Sequence, residues 1–155
     1  MRIRIIAIGQ KMPAWVTTAY DDYAKRINGD MQLQMVELPM QKRGKNTNAE
    51  QLCEKEGKAI LEAIKPGERI VALDVLGKAI STENLATKLK DWQMDGRNVV
   101  IIIGGPDGLS PAVLQRADDK ISLSKLTLPH PLVRVLLSEQ LYRAWSINHG
   151  HPYHR

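Results

Sequence analysis

Leu-Ser-Lys-Leu-Thr-Leu-Pro-His-Pro-Leu-Val-Arg-Val-Leu-Leu-Ser-Glu-Gln-Leu-Tyr-Arg-Ala-Trp-Ser-Ile, residues 123–147, is the stretch whose reading decides the fold. It opens as an extended run ending at Pro129. Each proline of Pro129-His130-Pro131 pushes its predecessor toward extended geometry, so no helix is expected before Pro131. Pro131 itself suits the first position of a helix, where its missing N–H costs nothing. From Leu132 on, the apolar residues Leu132, Val133, Val135, Leu136, Leu137, Leu141, Ala144, Trp145 and Ile147 leave little polar face. Such a helix must be covered on several sides, and in so small a chain that predicts a second subunit.

The 155 residues suit a single domain with a sizeable core. A hydrophobic fraction of 43% with 25% charged residues is that of a folded globular protein and excludes disorder. No apolar run reaches bilayer length, and the N-terminus passes straight into a strand pattern, unlike a signal peptide. Cys53 is the sole cysteine, which excludes an internal disulfide and fits a reducing cytoplasm. A net charge of +5 and a pI near 9.4 favour an anionic partner, nucleic acid first.

Working outward from the opening stretch, strand and helix patterns alternate. Arg2–Ile8 is β-branched and closed by Gly9. A helix runs from Pro13 to about Ile27, and Met31–Leu38 alternates as a second strand. Gln41–Asn46 is a basic loop. Asn48, with Gln51 three residues on, has the look of a capping box opening a helix to about Ile64. Arg69–Leu73 is a third strand, and Asp74–Lys78 is expected to be the loop at its carboxyl end. Ser81 caps a helix to about Met94. Asn98–Ile103 is apolar enough for a parallel strand covered on both faces. A short helix at Ser110-Pro111 and a last strand at Lys120–Leu123 follow. This order predicts an α/β domain with a mostly parallel sheet flanked by helices.

Three loops leave strand ends in one sense: 73–77, 103–108 and 124–129. Ligands of open parallel sheets bind outside those carboxyl ends. Gly104, Gly105 and Gly108 permit close backbone approach or positive φ. No phosphate-binding glycine signature is present, so an apolar pocket lined by backbone amides fits an adenine and a thioether-like chain better than a triphosphate.

These residues carry a resemblance. Ile-Gly-Gly-Pro-Asp-Gly-Leu at 103–109, Leu-Thr-Leu-Pro-His-Pro-Leu-Val-Arg at 126–134, Glu-Gln-Leu-Tyr-Arg-Ala-Trp-Ser-Ile at 139–147, His-Pro-Tyr-His-Arg at 151–155 and Lys-Arg-Gly-Lys-Asn at 42–46 together resemble the ribosomal RNA large-subunit methyltransferase H family. That family, within the SPOUT superfamily, methylates N3 of pseudouridine 1915 in 23S rRNA. The resemblance spans the whole chain. It implies a SPOUT-type fold in which about 70–155 forms a trefoil-knotted cofactor-binding part, a homodimer, S-adenosylmethionine as methyl donor, and ribosomal RNA within the ribosome as partner. It further implies donor contacts from Leu73, Gly104, Gly105, Leu123, Ser124, Lys125, Leu126, Thr127 and Leu128.

The methylated atom would be an imide nitrogen, whose proton must leave as the methyl arrives. Candidates near the reaction are His130, Arg134 and Arg143, although Glu139 and Arg143 are also spaced i,i+4 to pair with each other. The tail His149–Arg155 invites a metal reading, but no cysteine or clustered carboxylate accompanies its imidazoles, so no metal is assigned. By the resemblance, Tyr153, His154 and Arg155 face the RNA base by stacking or hydrogen bonding. Lys42, Arg43, Lys45, Lys11, Lys25 and Arg26 are candidate phosphate contacts. Trp15, Trp92 and Tyr23 are assigned to packing. The competing reading is a non-catalytic RNA-binding or ribosome-associated factor, which would have no use for both donor loops.

Overall fold

The computed structural model describes residues 1–154. Five strands form one all-parallel sheet in the order β2-β1-β4-β3-β5: β1 is Arg2–Ile8, β2 Gln32–Leu38, β3 Arg69–Ala79, β4 Val99–Ile103 and β5 Asp119–Ser122. Parallel strands need crossovers, and these are α1 (Ala14–Ala24), α2 (Ala49–Ala63), α3 (Thr82–Asp95) and α4 (Pro111–Arg116); α5 (His130–Asn148) closes the chain with a 3₁₀ turn at Pro152–His154.

Side chains alternate across a strand, and the apolar runs of β1 and β4 therefore feed two cores. Ile3, Ile5, Val99 and Ile101 pack with Leu85, Leu89 and Trp92 of α3, Tyr20 of α1 and Leu137 and Leu141 of α5. Ile6, Ile8, Val100 and Ile102 pack on the other face with Ile60 of α2 and Val113 of α4. Asn48 caps α2 by accepting from the backbone N–H groups of Glu50 and Gln51, but the Gln51 side chain returns no bond, so the expected capping box is a one-sided cap. Ser81 and Asn84 exchange the reciprocal bonds of a capping box, and Gly96 ends α3 at φ 84°.

Three further expectations are corrected. Asp74–Lys78 does not leave the sheet. Leu73 and Lys78 both pair with Ile121, so Asp74–Gly77 is an excursion within a strand that continues to Ala79. Gly77 makes this possible: a Cβ there would lie 2.8 Å from the Lys120 backbone carbon. The second correction concerns α5. Leu137, Leu141 and Ala144 are fully buried within one chain, because α1 and α3 cover the helix on two sides. Only Leu132 and Leu136, one turn apart and about 40% exposed, keep an open apolar stripe. Trp15, expected to pack, is 51% exposed, whereas Trp92 is buried.

Beneath the amino ends of the strands, Arg4 is buried and binds Glu68 through two hydrogen bonds of 2.9 and 2.7 Å, with a third of 2.7 Å to the Ala63 carbonyl. Burial pushes the Glu68 carboxyl up, but the bonds from Arg4 and the Lys65 N–H outweigh this and hold it below the usual range. A depressed carboxylate contributes stability that is full above its unfolded pKa and is lost as pH falls through the folded value. Glu68→Gln leaves the buried guanidinium without its counter-charge and should cost about 3 kcal/mol in urea unfolding at neutral pH. The loss should shrink under acid conditions, where the parent carboxyl is itself protonated.

Candidate active site

All five strands deliver their carboxyl ends to one edge, where a cleft of about 700 Å³ opens. That volume lies within the usual range of small-molecule sites, roughly 300–1,000 Å³. Its walls come from Ile8 after β1, Pro39 and Met40 after β2, Leu73 in β3, Ile103–Gly105 after β4, and Leu123–Leu128 after β5, with His130 and Val133 from α5. Of the residues named from sequence as donor contacts, Leu73, Gly104, Gly105, Leu123, Ser124, Leu126, Thr127 and Leu128 line this cleft and Lys125 does not. The loop turns on Ser124, whose carbonyl accepts from the Ser122 hydroxyl and whose own hydroxyl accepts from the Leu126 N–H, and Lys125 at the tip stays exposed.

Gly104 and Gly105 serve through lack of volume rather than through positive φ, which only Gly108 of this loop adopts, at 77°. A Cβ at Gly104 would lie 2.8 Å from the Gly108 backbone. One at Gly105 would lie 3.0 Å from a carboxylate oxygen of the buried Glu56. Glu56 is in turn bound by Arg43 at 2.6 Å, and Arg43 also reaches Asp107 at 3.0 Å. The basic loop is thereby pinned to the Gly104–Gly108 loop. Arg43, proposed from sequence as a phosphate contact, is spent on these carboxylates, while Lys42 and Lys45 are exposed.

The segment missed from sequence is Ile8–Met12, together with Pro39 and Met40. Its signal was Gly9, which ends an apolar parallel strand and takes φ 126°; every parallel strand in the sheet must send its carboxyl end to the same edge. Lys11 sits at the rim in left-handed geometry, φ 58°, a conformation that non-glycine residues hold only when their surroundings enforce it.

His130 stands at the inner wall with both ring nitrogens in use. Nε2 accepts from Arg134 Nε at 2.8 Å, which leaves the proton on Nδ1, donated to the Gly104 carbonyl at 3.1 Å. A ring so engaged has no free lone pair for a substrate proton in this arrangement, and its two bonds tie α5 to the Gly104 loop. Burial, with the Arg134 charge, lowers its pKa; the Gly104 carbonyl and Glu37 oppose this but do not prevail.

The other expected catalytic residues gather elsewhere. Arg143 lies thirteen residues along α5 from His130, roughly 20 Å at the helical rise. It binds Glu139 at 2.6 Å and covers the Tyr153 ring at 5.0 Å. Tyr153 donates to Glu139 at 3.1 Å and packs on Tyr142 with ring centroids 4.5 Å apart. Burial and the Glu139 charge push the Tyr153 phenol up to about 12, so it stays protonated. The tail is thus docked on α5 rather than solvated. Buried His154 Nδ1 has no hydrogen-bond partner among the described residues; Arg155 lies outside them. No cluster of three metal-ligating side chains occurs among the described residues, and none of their helices is long and apolar enough to cross a membrane.

Nitrogen-15 NMR of the imidazoles should find His130 as the Nδ1–H tautomer, titrating below the ordinary histidine value of about 6.5. Because its folded pKa is lowered, the stability it contributes is complete above the unfolded pKa and falls as pH drops through the folded one. A His130 that titrates above 6.5 would contradict the bond from Arg134.

Residues 1–154 match the family model described as "Predicted SPOUT methyltransferase". The chain is 56% identical over 155 residues to a protein of Marinomonas sp. (strain MWYL1), covering all of both chains. It is 58% identical over 158 residues to one of Acinetobacter baumannii, covering 100% of this chain and 99% of the relative. To one of Pseudomonas putida it is 52% identical over 155 residues, again across both chains in full. Each relative bears the name ribosomal RNA large subunit methyltransferase H. The chain belongs to the SPOUT methyltransferase family, in the group whose members carry that name.

Proposed function

We propose that this protein is an S-adenosylmethionine-dependent methyltransferase of ribosomal RNA, acting on N3 of pseudouridine 1915 of 23S rRNA in the assembled ribosome. Methyl transfer to ribosomal RNA follows from the named relatives at 52–58% identity over full length; the donor, the nucleotide and the site residues are finer readings. The chain would act in the cytoplasm as one domain with a knotted part from about 70 to 155. The observation that carries the reading is the cleft: apolar walls interrupted by backbone amides and carbonyls of the β4 and β5 loops.

The cleft suits the donor chemically. Leu73, Leu126 and Leu128 offer apolar cover for an adenine, the backbone of Leu123–Leu128 can read its edge, and Asp74 and Lys11 supply opposite charges for an amino-acid zwitterion. When bound, the donor supplies an electrophilic methyl group on a sulfonium. The chain's own share is to hold the RNA base, exclude water and favour loss of the imide proton. His130 has no free nitrogen for this, and Tyr153 remains a phenol. The imide proton therefore passes to solvent water before the base is enclosed, and the chain contributes positioning and the positive charge of Arg143 and Arg155 beside the resulting anion.

The tail cluster and the cleft sit far apart on one α5, so we infer a homodimer in which the tail of one subunit, with Tyr153, His154 and Arg155, serves the cleft of its partner. Leu132 and Leu136 at the cleft end of α5 are the apolar stripe left for the contact. Leu136→Asp should yield a folded monomer in sedimentation, whereas Leu137→Asp, a core position in each subunit, should unfold the chain. A parent that sediments as a monomer at micromolar concentration would rule the dimer out.

Calorimetry with S-adenosylmethionine tests the donor, and mass spectrometry of 23S rRNA after reaction with whole ribosomes or naked RNA tests the substrate. Deleting Tyr153–Arg155 should abolish transfer and leave donor affinity within about twofold, since contacts made only to RNA do not alter donor binding. A deletion variant that methylates ribosomes at the parent rate would reduce the tail to a docked end. Loss of donor binding in that variant would put these residues in the donor pocket.

A further inference from the structure

We propose that Arg134 is the positioning residue of the donor cleft, a buried knot of hydrogen bonds that holds its separate walls in register. The inference rests on the donor reading above. Arg134 is 2% exposed and is not itself part of the cleft lining. Its guanidinium reaches three acceptors on three segments: Nε to His130 Nε2 at 2.8 Å, one terminal nitrogen to the Gly9 carbonyl at 2.7 Å, the other to the Glu37 carboxylate. His130 extends the connection to the Gly104 carbonyl at 3.1 Å.

The four segments so tied are the first turn of α5 and the carboxyl ends of β1, β2 and β4. Each continues directly into cleft lining: Gln10–Met12 after Gly9, Pro39 and Met40 after Glu37, Gly105 and Pro106 after Gly104. Crossover segments far apart in sequence therefore share one cation. Stability does not account for it. An apolar side chain of similar volume would fill the space without the cost of desolvating a charge, and buried ion pairs are often no more stabilising than such replacements. An apolar group donates nothing, and a lysine carries its three donors on a single nitrogen; only the planar fork of arginine presents three separate nitrogens to acceptors as widely spaced as these. Glu37, the only carboxylate on Arg134 among the described residues, is partly exposed, so the pair is anchored at the rim rather than sealed in the core.

The test uses full-length Arg134→Lys, with hydrogen exchange of backbone amides and calorimetry with S-adenosylmethionine as separate readouts. Exchange should rise about tenfold or more in 9–12, 40–41 and 104–105 together, the scale of losing hydrogen bonds to a charged group, with β4 and α3 unchanged. Donor affinity should fall by a similar factor. An Arg134→Lys protein with parent exchange and parent affinity overturns the proposal, and so does a uniform rise across the whole chain, the mark of a merely structural role. Should Arg134→Lys fail to fold, Glu37→Ala decides, because this rim carboxylate can be removed without opening the core. About fivefold weaker donor binding with faster exchange at 40–41 supports the bridge, and parent behaviour refutes it. Absence of any heat with S-adenosylmethionine in the parent overturns the donor reading alone; the exchange pattern then still decides the bridge.

Discussion

Parallel pairing of all five strands is the constraint from which the rest follows. It forces every connection to cross over a face, covers the sheet on both sides and demands the continuous apolar runs of β1 and β4. It also sends every carboxyl end to one edge. The cleft is therefore built from segments that are remote in sequence. Only the side chains and glycines at those ends decide what it can hold.

That constraint explains which parts of the molecule were legible in sequence. Period-two and period-3.6 patterns, Gly96, Ser81 and the Asn48 cap mark elements by local physics, and the structure has them where those signals lie. The β4 and β5 loops were legible for the same reason, being glycine-bearing or proline-bounded ends of apolar strands. The contribution of 9–12, 39 and 40 was not, because it depends on strand order: nothing local says that β1 lies beside β4. The Asp74–Gly77 excursion was missed likewise. Whether a polar insertion leaves the sheet or bulges within it is settled by its neighbour, Ile121, which pairs on both sides of it.

Charge was harder to read than apolarity. A basic loop looks the same in sequence whether its cations face solvent or carboxylates. Arg43 turned inward because Glu56, fifteen residues after Gln41 and on another element, is buried beside the Gly105 loop. Arg134 likewise resembled a candidate at the reaction and is instead interred behind the wall. Buried charges occupy both edges of the sheet with different consequences. Arg4 and Glu68 close a local pair beneath the amino ends, with one carbonyl besides. Arg43 and Arg134, at the carboxyl edge, each bridge segments that lie far apart in sequence, Arg134 where the ladders of β1 with β2 and β4 end.

The separation along α5 gives the proposed dimer its logic. Its first turn belongs to the cleft through His130 and Arg134; its later turns carry Glu139, Tyr142 and Arg143, on which Tyr153 docks. A rigid helix of nineteen residues cannot bring its own two ends together. If both ends serve one reaction, the meeting must occur between chains, with the helix of one subunit laid against the cleft of the other. The leucines left open on α5, Leu132 and Leu136, lie on its first two turns, at the cleft end. An interface centred there would put each cleft against the partner's helix and would leave the docked tails at its margins. In that arrangement the chain would gain a second wall for its substrate from its own copy.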